Sequence, residues 1–208
     1  MPNLIPSHSI GHHIDTEHSV SAKTREEALD IFKKAYKRLL NIHLWHRLGG
    51  KGTSEFRLIG AHGNQEHRLA QVNDFFKIDI PGPGPKAGNG YDWVVVDAIE
   101  DNSNSEGENE TFAMRVRPCK DPQSKTDDVA HFFTAEATST FVIIRNDNTI
   151  KAGIYGRSEK PNTDVKNLID KVRNAAIGAG AIAGGANIQW DQLVKGFLAD
   201  EVPGCDEG

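Results

Sequence analysis

With 208 residues, 24 Lys and Arg against 29 Asp and Glu, and a formal charge of −5, the chain argues against a general nucleic-acid or anionic-membrane surface, and no basic cluster offsets the balance. The length suits one domain over residues 1–208, with an ordered core expected over 12–198 and a mobile tail over 199–208. Met1 to Gly11 has neither the cationic start nor the apolar run of a signal peptide, and no segment approaches the ~20 apolar residues of a membrane span, so a cytoplasmic protein without stable membrane insertion is expected.

The stretch from His12 to Ala22 mixes polar residues with Ile14 and Val20, consistent with an opening edge strand. His12 and His13, adjacent on such a strand, should point to opposite faces. A helix follows. Thr24 and Glu27 form the Thr-x-x-Glu capping box, and Ala28, Ile31, Phe32, Ala35, Tyr36, Leu39 and Leu40 recur at three- and four-residue spacing, which predicts an amphipathic helix over 24–43.

After Trp45 the period changes to two. Phe56 and Leu58, then Phe76, Ile78 and Ile80, mark two half-buried strands, and the nearly continuous apolar run from Trp93 to Ile99 marks a third. Phe112, Met114 and Val116 alternate with Thr111, Ala113, Arg115 and Arg117; Thr138 to Arg145 carries Phe141, Val142, Ile143 and Ile144; Ile150, Ala152 and Ile154 follow the turn Asn146-Asp147-Asn148. The last two should pair as a hairpin. Pro81 to Pro85 cannot continue a central strand, and Gly88-Asn89-Gly90 supplies a turn. Asp101 to Glu110 holds four acids and no base, and reads as a solvated hairpin tip; the acids lack the spacing of an EF-hand.

The C-terminal block, 164–199, opens after Asn162 or Thr163 as cap, with Val165, Leu168, Ile169, Val172 and Ala176 on one face. From Ala175 to Ala186 the side chains shrink to Ala and Gly with Ile177 and Ile182. Something must approach closely there, and a break at Gly184-Gly185 with a restart capped by Asn187 is expected before Trp190, Leu193, Val194, Phe197 and Leu198. The α+β arrangement expected is a curved antiparallel sheet of about six or seven strands against a C-terminal helix, with the first helix after the opening strand.

In element order the chain resembles the helix-grip superfamily, which includes START-like lipid-transfer domains and polyketide cyclases. The resemblance implies a cavity between sheet and terminal helix for a lipid, sterol, aromatic or polyketide-like molecule. It implies no universal catalytic residue.

No motif assigns a reaction. Cys119 and Cys205 ask for neither a disulfide nor a metal, and His43 and His46, three apart, lack a His-Glu-x-x-His partner set. Gly178 to Gly184 resembles a dinucleotide loop but sits inside a helical block, where close packing or a hinge explains it better. No metal and no cofactor is therefore expected.

Arg115 and Arg117 share a strand face opposite Met114, so they either face solvent or, turned inward, anchor a ligand carboxylate with Asp97 nearby; Tyr155 and Arg157 carry the same pair of readings. The function expected is binding of a small hydrophobic or amphipathic molecule. Its candidate contacts are Trp45, Phe76, Trp93, Phe112, Met114, Phe141, Ile177, Ile182 and Arg115. The alternatives are a cyclase- or hydrolase-type enzyme using Asp97, His131 or Tyr155, and a protein-interaction module with a filled core.

Overall fold

The computed structural model describes residues 3–50, 54–80, 84–104, 106–163, 174 and 186–201. The two-residue alternation becomes seven strands: β1 (His12–Ser21), β2 (Glu55–Ile59), β3 (Phe75–Asp79), β4 (Asp92–Asn102), β5 (Asn109–Pro118), β6 (Thr138–Asn146) and β7 (Thr149–Glu159). They form one sheet in the order β1-β7-β6-β5-β4-β3-β2, with every neighbouring pair antiparallel. The expected α+β class is the one observed. The opening strand exists because its edge has a partner: β1 lies along the full length of β7, a pairing across the whole chain that no local pattern reveals.

Helix α1 spans Arg25–Leu40. Thr24 Oγ1 accepts from Glu27 N at 3.2 Å, while the Glu27 carboxylate reaches Lys23 N at 2.7 Å, one residue before the cap rather than on the cap itself. The predicted helix over 24–43 ends early. Asn41, at φ −89° and ψ 83°, leaves helical geometry, and a 3-10 turn at Ile42–Leu44 leads into a separate helical turn, α2, at Trp45–Leu48. The third described helix, α3, spans Ala186–Leu198. The expected break at Gly184-Gly185 and the cap at Thr163 lie outside the described helical residues; Asn162 uses its amide elsewhere, donating to Val129 O and His131 O.

The three helices described meet one face of the sheet, here the inner face: α1 lies on β6 and β7, α2 on β2, and α3 on β1, β7, α1 and α2. Cross-strand register identifies that face row by row. Ile99, Met114, Phe141 and Ile154 make one row, and Phe112, Ile143 and Ala152 the next. Against them pack Ala28, Phe32, Ala35 and Leu39 of α1 and Leu193, Val194, Phe197 and Leu198 of α3, all buried. α3 can settle onto α2 because Gly196 offers no side chain: a Cβ there would come within 2.7 Å of Leu48 Cβ. Arg38 of α1 then bonds Phe197 O and Ala199 O, filling carbonyls that the end of α3 leaves open.

The opposite, outer face is covered in two places. Leu4 and Ile5 lie over Ala113, Val142, Ile144 and Tyr155. Ile59, Trp93 and Ala130 form a separate cluster with Phe75, Tyr91 and Cys119. Half-buried there, the Cys119 thiol is pushed up to about 12, chiefly by desolvation, and stays protonated at neutral pH.

The acidic stretch at the β4–β5 hairpin is the main correction to the sequence reading. Asp101 and Glu106 are exposed as expected of a tip, but Glu110 is 2 % exposed and lies on the inner face opposite Arg145, which is 0 % exposed. Arg145 Nε meets Glu110 Oε2 at 2.6 Å, and its other nitrogens donate to Asp147 O at 2.9 Å and Gly107 O at 2.6 Å. His12 and His13 also depart from expectation. The β1 register slips between His12 and Ile14, alternation fails there, and the two rings stack at 6.0 Å.

Candidate functional site

The inner face divides into a packed part and a part built of small side chains. In the packed part Trp45, 1 % exposed, meets Phe56, Phe76, Phe141 and Phe197 with ring centroids 4.7 to 5.9 Å apart. Its indole N–H donates to Leu39 O at 3.1 Å and Arg38 O at 3.3 Å, which satisfies the buried donor and two terminal carbonyls of α1 together. Phe112 stacks on Tyr36 at 5.0 Å. Of the expected ligand contacts, Trp45, Phe76, Phe112, Met114 and Phe141 thus share one core.

One row further along the sheet the side chains shrink. Val116 pairs with Ser139, Ser139 with Gly156, and Gly156 with Ile14, so the two central positions of this row carry a hydroxymethyl and nothing. Ser139 is only half-buried although β6 is the third strand in from the β1 edge. Trp190 of α3 is half-buried too, edge-on to Phe141 at 5.9 Å.

Over Gly156 lies a carboxyl group. Ser158 takes φ +56°, a left-handed turn that interrupts the alternation of β7 and carries Glu159 back over the inner face. A Cβ on Gly156 would overlap Glu159 Oε1, so glycine is what lets the carboxyl lie there. Glu159 is 4 % exposed, and among the described residues its Oε2 has no hydrogen-bond partner. Sequence reasoning missed this residue, because strict alternation through β7 would put it on the outer face.

Burial raises the Glu159 carboxyl to about 7 from an ordinary 4.5, against a smaller lowering by Arg157. Between those values the folded protein holds a proton that the unfolded chain has released, so stability falls as pH rises. The loss should approach roughly 3 kcal/mol above neutrality. Urea unfolding is expected to give a lower midpoint at pH 8 than at pH 5.5, and Glu159→Gln should flatten the difference; a wild-type midpoint unchanged over that range would contradict the assignment.

The remaining candidates do not converge. Asp97 sits at a bulge on the outer face, held by Arg115 Nε at 3.0 and 3.2 Å. Arg115 takes the outward of its two orientations and also donates to Leu4 O at 3.3 Å. Tyr155 shares that outer face two strands away from Arg115, about 10 Å at ordinary strand spacing. Its hydroxyl donates to Glu17, and burial, then Glu17, pushes the phenol up, which makes it a poor base at neutral pH. His131 lies in the β5–β6 connection, where Nδ1 accepts from Phe133 N at 3.0 Å. Trp93 lies in the outer cluster, its N–H donating to Gly88 O at 3.4 Å. Ile177 and Ile182 lie outside the described residues.

Comparison with known proteins assigns no family: no family model matches and no curated protein matches. Solved structures do match in outline. A protein from Arthrobacter aurescens, solved by solution NMR, is 10% identical with a TM-score of 0.46, covering 94% of this chain and 92% of that one. Ara h 8.0201 is 10% identical with a TM-score of 0.33, covering 88% and 99%. The ginseng major latex-like protein 151 from Panax ginseng is 13% identical with a TM-score of 0.32, covering 83% and 96%. Likeness at these scores transfers no role to this chain. No helix among the described residues is long and apolar enough to cross a membrane.

Proposed function

We propose that the protein binds a small hydrophobic or amphipathic molecule on the inner face of its sheet, beside α3. The observation that carries this reading is the step from large to small side chains. Phe141 and Ile154 fill the sheet's inner face, whereas Ser139 and Gly156 in the next row carry almost no side chain, and the half-buried indole of Trp190 stands edge-on to Phe141. An apolar wall ending in a few polar groups is what a site for such a molecule requires. The element order resembling a helix-grip domain supports the same reading, in a cytoplasmic protein.

Native mass spectrometry of the purified protein should find a co-purifying small molecule. In a panel of fatty acids, sterols and aromatic compounds, at least one member should raise the melting temperature, since ligand at a hundred times its Kd adds about 2.7 kcal/mol. Ser139→Trp, which fills the low row, should abolish the shift while leaving the fold intact. If no compound shifts the melting point, the binding reading falls and a protein-interaction module with a filled core takes its place.

A second reading, an enzyme of cyclase or hydrolase type, draws on the Glu159 carboxyl titrating near neutrality, where a general acid or base works best. It separates from the first by variant: Glu159→Gln would then bind substrate and fail to turn it over.

A further inference from the structure

Among the described residues, Glu159 is a buried acid that forms no ion pair. Arg157, two residues away, turns its guanidinium elsewhere: it pairs with Asp15 and donates to Ile14 O at 3.2 Å and Gly156 O at 2.8 Å. Among the described residues no cation holds the carboxyl as a structural ion pair, unlike Glu110, whose partner Arg145 is buried with it. A lone carboxylate shielded from water is destabilising, and that cost ends when something brings a donor to it.

We propose that Glu159 receives the head group of the ligand, and that the ligand is an amphipathic amine. The apolar body lies against Phe141 and Trp190, and the protonated nitrogen meets Glu159 Oε2. This assignment rests on the inner-face binding reading above and gives it a substrate class. Three head groups can be compared on charge alone. A carboxylate would bring like charge to Glu159 and is disfavoured. A hydroxyl supplies one ordinary hydrogen bond, whereas an ammonium supplies a charge-assisted bond of about twice that strength. It also has donors to spare. Ser139 pairs with Gly156, over which the carboxyl lies, so its strand position is about 5 Å across the sheet, where a second N–H can be received.

Isothermal titration of the full chain at pH 8 with 4-phenylbutylamine, 4-phenylbutanol and 4-phenylbutyrate holds the body constant and varies the head. The amine should bind about tenfold more tightly than the alcohol, and the acid least tightly. In Glu159→Gln, a neutral side chain of the same shape, the amine should fall to the level of the alcohol. Equal affinities for the three probes, or an amine affinity unchanged in Glu159→Gln, would overturn the head-group assignment and leave the binding site standing. No binding by any probe would remove both. Should Glu159→Gln fail to fold, the ranking on the wild-type chain decides alone.

Discussion

Replacing Trp45 with alanine is expected to lower the free energy of unfolding by about 3–5 kcal/mol. The ring is the meeting point of α2, β2, β3, β6 and α3 through Phe56, Phe76, Phe141 and Phe197, so truncation leaves a cavity whose walls belong to five different elements and cannot close from any one side. A polar loss adds to it. The carbonyls of Arg38 and Leu39 lose the indole donor where helix α1 ends. Trp45→Phe keeps most of the volume and should recover more than half of the loss. Urea titration followed by far-UV circular dichroism measures both, and a loss under about 1 kcal/mol for Trp45→Ala would show that the cluster is loosely packed.

Arg145→Leu should cost a similar amount, about 3–5 kcal/mol, for a different reason. The substitution strands the Glu110 carboxylate on the inner face with no counter-ion, and an unpaired buried charge is far more costly than the pair is stabilising. The double variant Glu110→Leu with Arg145→Leu is therefore the informative control. Two leucines directly opposite each other extend the apolar rows of β5 and β6, and most of the stability should return. What does not return is the hold on the loop. Arg145 also bonds Gly107 O and Asp147 O, and Arg25 of α1 bonds Glu106 O and Gly107 O from the other side. Amide exchange at the tip should stay fast in the double variant even where global unfolding is normal. A single variant as stable as the wild type would contradict the account.

Which parts of this arrangement were legible depends on whether the signal is local. The Thr24 cap, the start of the amphipathic α1 and the strands β3, β5, β6 and β7 follow from neighbours a few residues apart and appear where those signals put them, although α1 ends at Leu40 and not at 43. The buried ion pair was legible in principle. Glu110 shares parity with Phe112 and Met114, and Arg145 with Phe141 and Ile143, so each charge stands on its strand's apolar side. Counting Glu110 with the acids that precede it hid that parity.

The face that Trp93 takes was hidden for the opposite reason. In a continuous apolar run parity carries no contrast, and the bulge at Asp97 breaks the count from the far end, so only the pairing of Trp93 with Lys77 tells which face it takes. Glu159 had no signal at all. Its position follows from one left-handed residue, Ser158, of a type that seldom adopts that conformation, and from a glycine three places earlier whose role is visible only in three dimensions.

The seat of α3 on α1 and α2 also constrains how the chain comes to be folded at all. Phe197 and Leu198 close the cluster around Trp45, and Arg38 waits for carbonyls more than 150 positions downstream. While the polypeptide is still emerging from the ribosome, the sheet can pair and take up α1, but the greasy side beyond α1 has no cover from α3 until residue 198 is out. Nascent chains stalled before that point should therefore be held by chaperones and cut readily by protease, and protection should arrive in a single late step rather than strand by strand.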